Sequence, residues 1–239
     1  LYVDLPNKFQ TPSLSHLFGT DWVGRDMLTR TIKGLSLSMK IGLLATLTST
    51  IIAIILGIIG PTFGRRVDAV VTWFIDLVLS VPHTLVVILI SIAMGGGIKG
   101  IVVGVAATHW TSLTRVIRAE VMQIMESDYT KISKNFGKSN WYIAKEHILP
   151  HVIPQIIVNA VLIFPHAILH EASVTFLGFG LPPHEPAIGV ILSESMKYLT
   201  SGYWWLAFFP GLSLILVSMM VDKIGKNIEQ LINPKTAYK

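Results

Sequence analysis

Long apolar stretches alternate with short polar ones along this chain, and Lys and Arg collect in the polar ones. Ile41 to Ile59 runs without a charge between Lys40 and the pair Arg65-Arg66. Val70 to Met94 holds one charge, Asp76, and one proline, Pro82, which removes a helix hydrogen bond and predicts a kink. Gly95-Gly96-Gly97 then predicts a tight turn. Ile98 to Leu113 is shorter and continues into a polar end, and Val152 to Leu169 follows after a basic interval. Trp204 to Val221 is the last stretch, and Tyr203, Trp204 and Trp205 at its start suit a membrane–water interface. A helix needs about 20 mostly apolar residues to cross a bilayer. The pattern therefore predicts an all-α polytopic transmembrane helical bundle with five spans. Leu28 to Leu37 reads as an amphipathic interfacial helix feeding the first of them.

Composition agrees. Of 239 residues 51% are hydrophobic and 14% charged, against about 25% charged in soluble domains. With no cysteine, disulfide, zinc-thiolate and iron–sulfur chemistry are excluded. The net charge of +5 does not call for nucleic acid, because the cations sit beside spans. Arg65-Arg66, then Arg115, Arg118, Lys131, Lys134, Lys138 and Lys145, then Lys223, Lys226, Lys235 and Lys239 all fall on one side if the spans alternate. The positive-inside rule makes that side, and the C-terminus, cytoplasmic in a multi-pass protein of the cytoplasmic membrane. Three regions follow: an extracytoplasmic or interfacial segment 1–40, a transmembrane domain 41–222 with a cytoplasmic loop at 123–150, and a cytoplasmic tail 223–239. The outer segment mixes Lys8, Arg25, Arg30, Lys33 and Lys40 with Asp4, Asp21 and Asp26, so its bias is weak. It carries no signal-peptide pattern, which predicts a sixth span ahead of Leu1.

Three segments break the apolar pattern with chemistry of their own. Asp128 to Pro150 reads as two short helices broken at Gly137-Lys138-Ser139-Asn140, with Pro150 ending the second before the next span. A compact helix–turn–helix between two spans is a handle for a soluble partner. In Gly19-Thr20-Asp21-Trp22-Val23-Gly24-Arg25-Asp26 the glycines mark a turn and the aspartates can cap helix starts. Glu171 to Pro183, EASVTFLGFGLPP, ends a helix and builds an outer-side turn. There is no phosphate-binding G-x-x-x-x-G-K-[ST], G-x-S-x-G, H-E-x-x-H or C-x-x-C, so the chain is not expected to be an enzyme.

Ionisable groups inside spans are costly and face a pathway or a partner. His166 and His170 share one helical face and Glu171 is adjacent, while His109 lies near the end of the third span. Imidazoles at that spacing suit a borderline metal ion such as Ni²⁺. They equally suit hydrogen bonds to neighbouring helices. His83, just after Pro82, reads as structural, and Asp76 as a pathway residue or a contact to a neighbouring subunit.

Taken in order and spacing along the whole chain, these blocks resemble permeases of the dipeptide/oligopeptide/nickel ABC importers, and their C-type inner-membrane subunit in particular. GTDWVGRD looks like the signature that precedes the second span of those permeases. The segment from Asp128 to Ile148-Leu149-Pro150 resembles their EAA coupling loop, although Lys131-Ile132-Ser133 stands where the family shows Glu-Ala-Ala. That departure touches one polar contact to the ATPase. EASVTFLGFG resembles the family's EASLSFLGLG-type segment, Ala187-Ile188-Gly189 continues the likeness, and Asp222 to Pro234 loosely follows its tail. The resemblance implies a type I importer fold and alternating access. It implies a homologous second permease, two cytoplasmic ABC ATPases that carry the ATP–Mg so that this chain needs no cofactor, and an extracytoplasmic solute-binding protein. Its cargo would be nickel, a metal chelate, or a di- or oligopeptide. On the matching loop, Tyr129, Phe136, Gly137, Lys138, Asn140, Trp141 and Pro150 are the expected coupling contacts, with Phe136 and Trp141 as apolar anchors. An ATP-independent secondary transporter or channel is the other reading, but such a protein has no need of the loop.

Overall fold

Asp26 starts the first helix. Its Oδ2 accepts the backbone N–H of Thr29 and the Thr29 hydroxyl, both at 2.8 Å, so one orphan donor of the first turn is satisfied. The helix, α1, runs Met27–Phe63. At 37 residues it is about 55 Å long. The expected interfacial helix 28–37 is therefore the first part of α1. Gly34 does not interrupt it, because its bare face is where Ile188 and Ile191 pack. The computed structural model describes residues 3–232. Pro234, Lys235 and Lys239 of the expected tail lie outside the described residues.

After α1 come α2 (Arg65–Leu79), α3 (His83–Ala93), α4 (Gly97–Glu126), α5 (Asp128–Asn135), α6 (Asn140–Ile143), α7 (Leu149–Phe176), α8 (Ile188–Leu199) and α9 (Trp205–Ile232). The described residues contain no β-strand, only an isolated bridge between Thr20 and Asp26. The chain traverses the bundle five times. Helix α1 and helix α4 run parallel, with Ile41 in one cluster with Ile101 and Gly57 against Ile117. Helix α7 returns against α1, Gly42 meeting Ile168, and α9 runs back against α7, Gly225 meeting Leu162. The stretch around Pro82 is a break and not a kink, since α2 and α3 meet at 91°. Pro150 does not end a helix either. It follows directly on the turn Ala144–Ile148, and the helix continues through it. Asn140–Phe176 is consequently one 37-residue helix, with a π-helical turn at Ala144–Ile148.

Three helices are long and apolar enough to cross a membrane, α1, the continuous 140–176 helix and α9, and the bent α2–α3 pair makes a fourth. Helix α4 is long enough at 30 residues, about 45 Å, but carries more polar groups. The reason is its position: it packs on α1, α3 and α7, so protein and not lipid is its surroundings. Its buried Thr108, Thr111 and Thr114 hydroxyls donate to carbonyls one turn back, which removes the cost of burying them. Apolar residues left exposed on the outer helices, among them Leu43, Leu47 and Ile51 of α1 and Ile215 and Met219 of α9, form the kind of surface a bilayer covers.

One end of the bundle is closed by residues before α1. Asp21 is fully buried. Its Oδ1 accepts the N–H groups of Val23 and Arg25, and its Oδ2 binds Arg25 Nε at 2.6 Å and Arg30 Nη1 at 2.8 Å. Arg30 reaches on to Glu194 of α8 at 2.6 Å. Asp21→Ala leaves the buried Arg30 with Glu194 alone. Losing one partner of such a pair costs about 3 kcal/mol, and thermal unfolding of the purified protein in detergent should register it as a clear drop in Tm, with Arg25→Ala much milder. A second expectation concerns pH. Partial burial alone would raise the Asp26 carboxyl, but its hydrogen bonds from Thr29 and the neighbouring His16 outweigh this and hold it below its ordinary 3.8. A depressed carboxylate stabilises above its unfolded value and loses that contribution as pH falls through the folded one. Amide exchange at Thr29 and Arg30 should therefore accelerate only below pH 3.8, and Asp26→Asn should remove most of that dependence.

Candidate functional site: the knob and the histidine cluster

The segment between α4 and α7 folds as a two-helix knob. Helix α5 ends at Asn135, and Gly137 turns the chain with φ +76°, a conformation L side chains rarely adopt. Ser139 then caps the next helix, its Oγ accepting the Tyr142 N–H. The two arms are stapled: Ser133 Oγ lies 2.9 Å from His147 Nε2, and the His147 ring sits edge-on to both Tyr129 and Tyr142. Ile143, Ile148 and Val152 are buried in one cluster with Leu113, Ile117, Val121 and Ile124 of α4. The knob is thus seated on the same helices that cross the bundle, and a push on it reaches α4 and α7 directly.

Its outer surface sets aromatic side chains among exposed lysines, Lys131, Lys134, Lys138 and Lys145. Phe136 is 80% exposed and Trp141 66%, with Ile132 and Tyr129 beside them. Phe136 has no aromatic neighbour within the chain among the described contacts, whereas Trp141 leans edge-on against Phe63. Lys138 lies over the Tyr142 ring at 4.7 Å. Asn140 opens α6, and Pro150 is exposed in the first turn of α7. Around the base, Arg118 Nη2 donates to Asp68 Oδ2 at 2.6 Å, tying α4 to α2.

A second group of side chains converges inside the bundle. His83, His109 and His170, from α3, α4 and α7, each offer a ring nitrogen within 4.8 Å of the others. His83 Nε2 lies 3.0 Å from His109 Nδ1. Two glycines arrange this. A Cβ on Gly100 would fall 2.8 Å from the Ser91 carbonyl oxygen and one on Gly104 2.9 Å from that of Val87, so α3 and α4 touch backbone to backbone. The antiparallel register Ser91/Gly100, Val87/Gly104 continues one turn further to His83 opposite His109. The outer end is held by the EASVTFLGFG segment, where Ser91 Oγ donates to the Phe179 carbonyl at 2.7 Å and the Gly97 N–H to that of Gly180.

The other residues singled out in the sequence go elsewhere. His166 is exposed and outside the cluster. Glu171 is buried, but its Oε1 accepts from Thr175 Oγ1 at 2.9 Å, away from the three rings. Asp76 is exposed and bridges to Arg115 at 2.8 Å. His83 replaces His166 as the partner of His170 and His109, because the break at Pro82 turns α3 back onto α4. Sequence reasoning also missed Ser133 and His147, fourteen residues apart and joined only by the turn at Gly137.

Residues 49–234 match the family of the binding-protein-dependent transport system inner membrane component. The dipeptide transport system permease protein DppC of Bacillus subtilis is 34% identical over 94% of this chain and 70% of its own length. The probable D,D-dipeptide transport system permease protein DdpC of Escherichia coli is 29% identical over 99% of this chain and 79% of its own. Among solved structures, the inward-facing MetNI methionine ABC transporter superposes with a TM-score of 0.70 at 14% identity, covering 87% of this chain and 98% of the matched one. An amino acid ABC transporter with histidines gives 0.64 at 16%. The chain belongs to this family of permease components, and its fold is that of ABC importer permeases.

The staple inside the knob can be tested without any partner. One hydrogen bond contributes about 1 kcal/mol net, so Ser133→Ala or His147→Phe should speed tryptic nicking at Lys134 and Lys138 about fivefold under native conditions. Gly137→Val, forced into a left-handed turn, should do so more strongly.

Proposed function

We propose that this permease subunit moves cargo into the cell by alternating access, driven by two cytoplasmic ABC ATPases that grip the knob at 128–150. One observation carries the coupling part of this reading: a rigid hairpin presents Phe136 at 80% exposure, although its base is built into α4 and α7. An aromatic ring exposed on a fixed support is an anchor for a groove on another protein. Tyr129, Phe136, Gly137, Lys138, Asn140, Trp141 and Pro150 form the contact region, with Phe136 the principal anchor. Trp141 shares its ring with Phe63 and contributes less. The basic residues at this end of the bundle, from Arg65-Arg66 to Lys145, support a cytoplasmic position for the knob and for the α9 end with it.

The exposed apolar faces of α1, α3 and α9 would be covered by lipid and by a homologous second permease. A solute-binding protein would deliver cargo at the opposite end, where Asp21, Arg25, Arg30 and Glu194 tie the N-terminal segment to α8. ATP–Mg belongs to the ATPases. ATP binding closes them, the knob carries the movement into α4 and the 140–176 helix, and the cavity between the permeases opens outward. Hydrolysis resets it. The cargo class is di- or oligopeptides, which the names of the relatives support, or nickel and metal chelates, which the three imidazoles support.

Phe136→Asp tests the coupling. Truncating an aromatic anchor costs about 2 kcal/mol or more, a factor of about 30 in affinity. The ATPases should no longer co-purify with the variant, and ATP-dependent uptake by proteoliposomes carrying the full complex and its binding protein should fall to background. The permease itself should remain folded, since Phe136 supports nothing inside it. Uptake of dipeptide or Ni²⁺ that proceeds equally without ATP would overturn the proposal in favour of a secondary transporter.

A further inference from the structure

We propose that His83, His109 and His170 form a binding site for one late first-row divalent metal ion of the Ni²⁺/Co²⁺ type, leaving its remaining coordination positions to water or to donor atoms that the ion brings with it. Three neutral imidazoles from three helices are a ligand set for such ions, whereas Ca²⁺ and Mg²⁺ require oxygen. The hydrogen bonds favour the right tautomer. A carbonyl can only accept, so the Val105 oxygen at 3.0 Å takes the Nδ1–H of His109. That leaves His109 Nε2 with a free lone pair and its ring oriented by an outer-shell contact, the arrangement found behind metal-binding histidines. His83 Nε2, 3.0 Å from the same Nδ1, also accepts there, so it is unprotonated, and turning its ring away from that hydrogen bond frees its lone pair for an ion. No hydrogen bond to the His170 ring is found among the described residues. It meets the other two rings at centroid distances of 5.0 and 5.1 Å.

The geometry is close to what an ion needs. Nitrogens bound to one metal at about 2.1 Å sit about 3.4 Å apart. The widest separation here is at most 4.8 Å, a gap that ring rotations about the side-chain torsions can close. His109 is nearly buried while His83 and His170 are half-exposed, so an ion has a side from which to enter. Depth also matters. His109 lies twelve residues into α4 from its start at Gly97, about 18 Å along the axis, and His170 six residues before the end of α7, about 9 Å. The cluster is therefore within the spans, well away from the knob. Its group contains no carboxylate, so the bound ion keeps its double charge in a poorly solvated place. Such a site holds an ion briefly and releases it, which suits passage and not storage. Treating the ion as cargo rests on the importer reading above, while the site itself does not.

The test uses the intact complex with its second permease and ATPases, in nanodiscs and without a polyhistidine tag. Co²⁺ is titrated and followed by its ligand-field absorption, and Ni²⁺ by equilibrium dialysis. One ion per complex should bind. His109→Ala and His170→Gln should each weaken binding by more than the roughly 10–100-fold that loss of an outer-shell partner costs, and His83→Ala by at least tenfold. His166→Ala should leave it unchanged. Melting temperature is recorded for every variant, and His170→Gln, at a half-exposed position, keeps the test valid should His109→Ala fail to fold. Absence of a bound ion, or binding that survives removal of all three rings, would overturn the proposal. ATPase co-purification and ATP hydrolysis on the same samples separate the two readings. If both persist where no metal binds, the importer stands and the metal site falls. If the ATPases never associate but the ion binds through the three rings, the site stands and only its role as a cargo stop is lost.

Discussion

Close approach of helices is the constraint on which this protein depends. Within a bilayer the solvent is as apolar as the helices, so burial of leucine and isoleucine gives little reason for one helix to leave lipid for another. Association then rests on packing at short range, and short range requires small residues. Gly57 accepts Ile117 where a Cβ would lie 2.8 Å away, Gly42 accepts Ile168 and Gly225 accepts Leu162. These contacts join α1 to α4, α1 to α7 and α7 to α9, which are the pairings that define the bundle. Gly100 and Gly104 bring α3 still closer, onto the backbone of α4.

The same constraint explains why two quite different features share the same helices. The register that lets Val87 and Ser91 rest on glycines brings His83 to His109, and α7 adds His170 from the other side. At the far end of α4 and the near end of α7, the residues 117–124 and 143–152 clasp the knob. A tilt of α4 relative to α7 therefore moves both the knob and the three rings. The buried hydroxyls of Thr108, Thr111 and Thr114 are satisfied by carbonyls of their own helix, whereas those of Thr46, Ser49 and Thr50 on α1 have no partner within the chain among the described residues. At the end near the N-terminus the buried charges are paired, in the chain from Asp21 through Arg30 to Glu194 that locks residues before α1 onto α8.

Much of this is legible in the amino-acid order alone. Apolar runs of about 20 residues, separated by basic loops, are forced by bilayer thickness and by the cost of carrying charge across it, so the class of fold reads directly from them. Asp26 as a helix cap, Gly137 as the turn of the knob and the glycine-rich end after Glu171 are likewise local matters, set by the conformations single residues allow. Prolines are harder. Pro82 predicts a kink and instead stands at a 91° break, while Pro150 predicts the stop of a helix and instead lies inside the continuous 140–176 helix. A proline removes one donor wherever it stands; whether that breaks a helix depends on what the neighbouring backbone packs against.

The sequence by itself determined an all-helical membrane bundle with a two-helix knob between spans, because hydropathy, charge sidedness and turn residues act over a few positions at a time. Only the tertiary structure decided which histidines meet, how the knob is stapled and which charges are paired. His166 and His170 are one turn apart on a helix, yet His170 belongs with His83 and His109, 87 and 61 residues away in sequence. Those meetings depend on the register of α3 against α4 and the approach of α7. Register between distant helices is fixed by the shapes of both surfaces at once, and no local pattern in the chain records it.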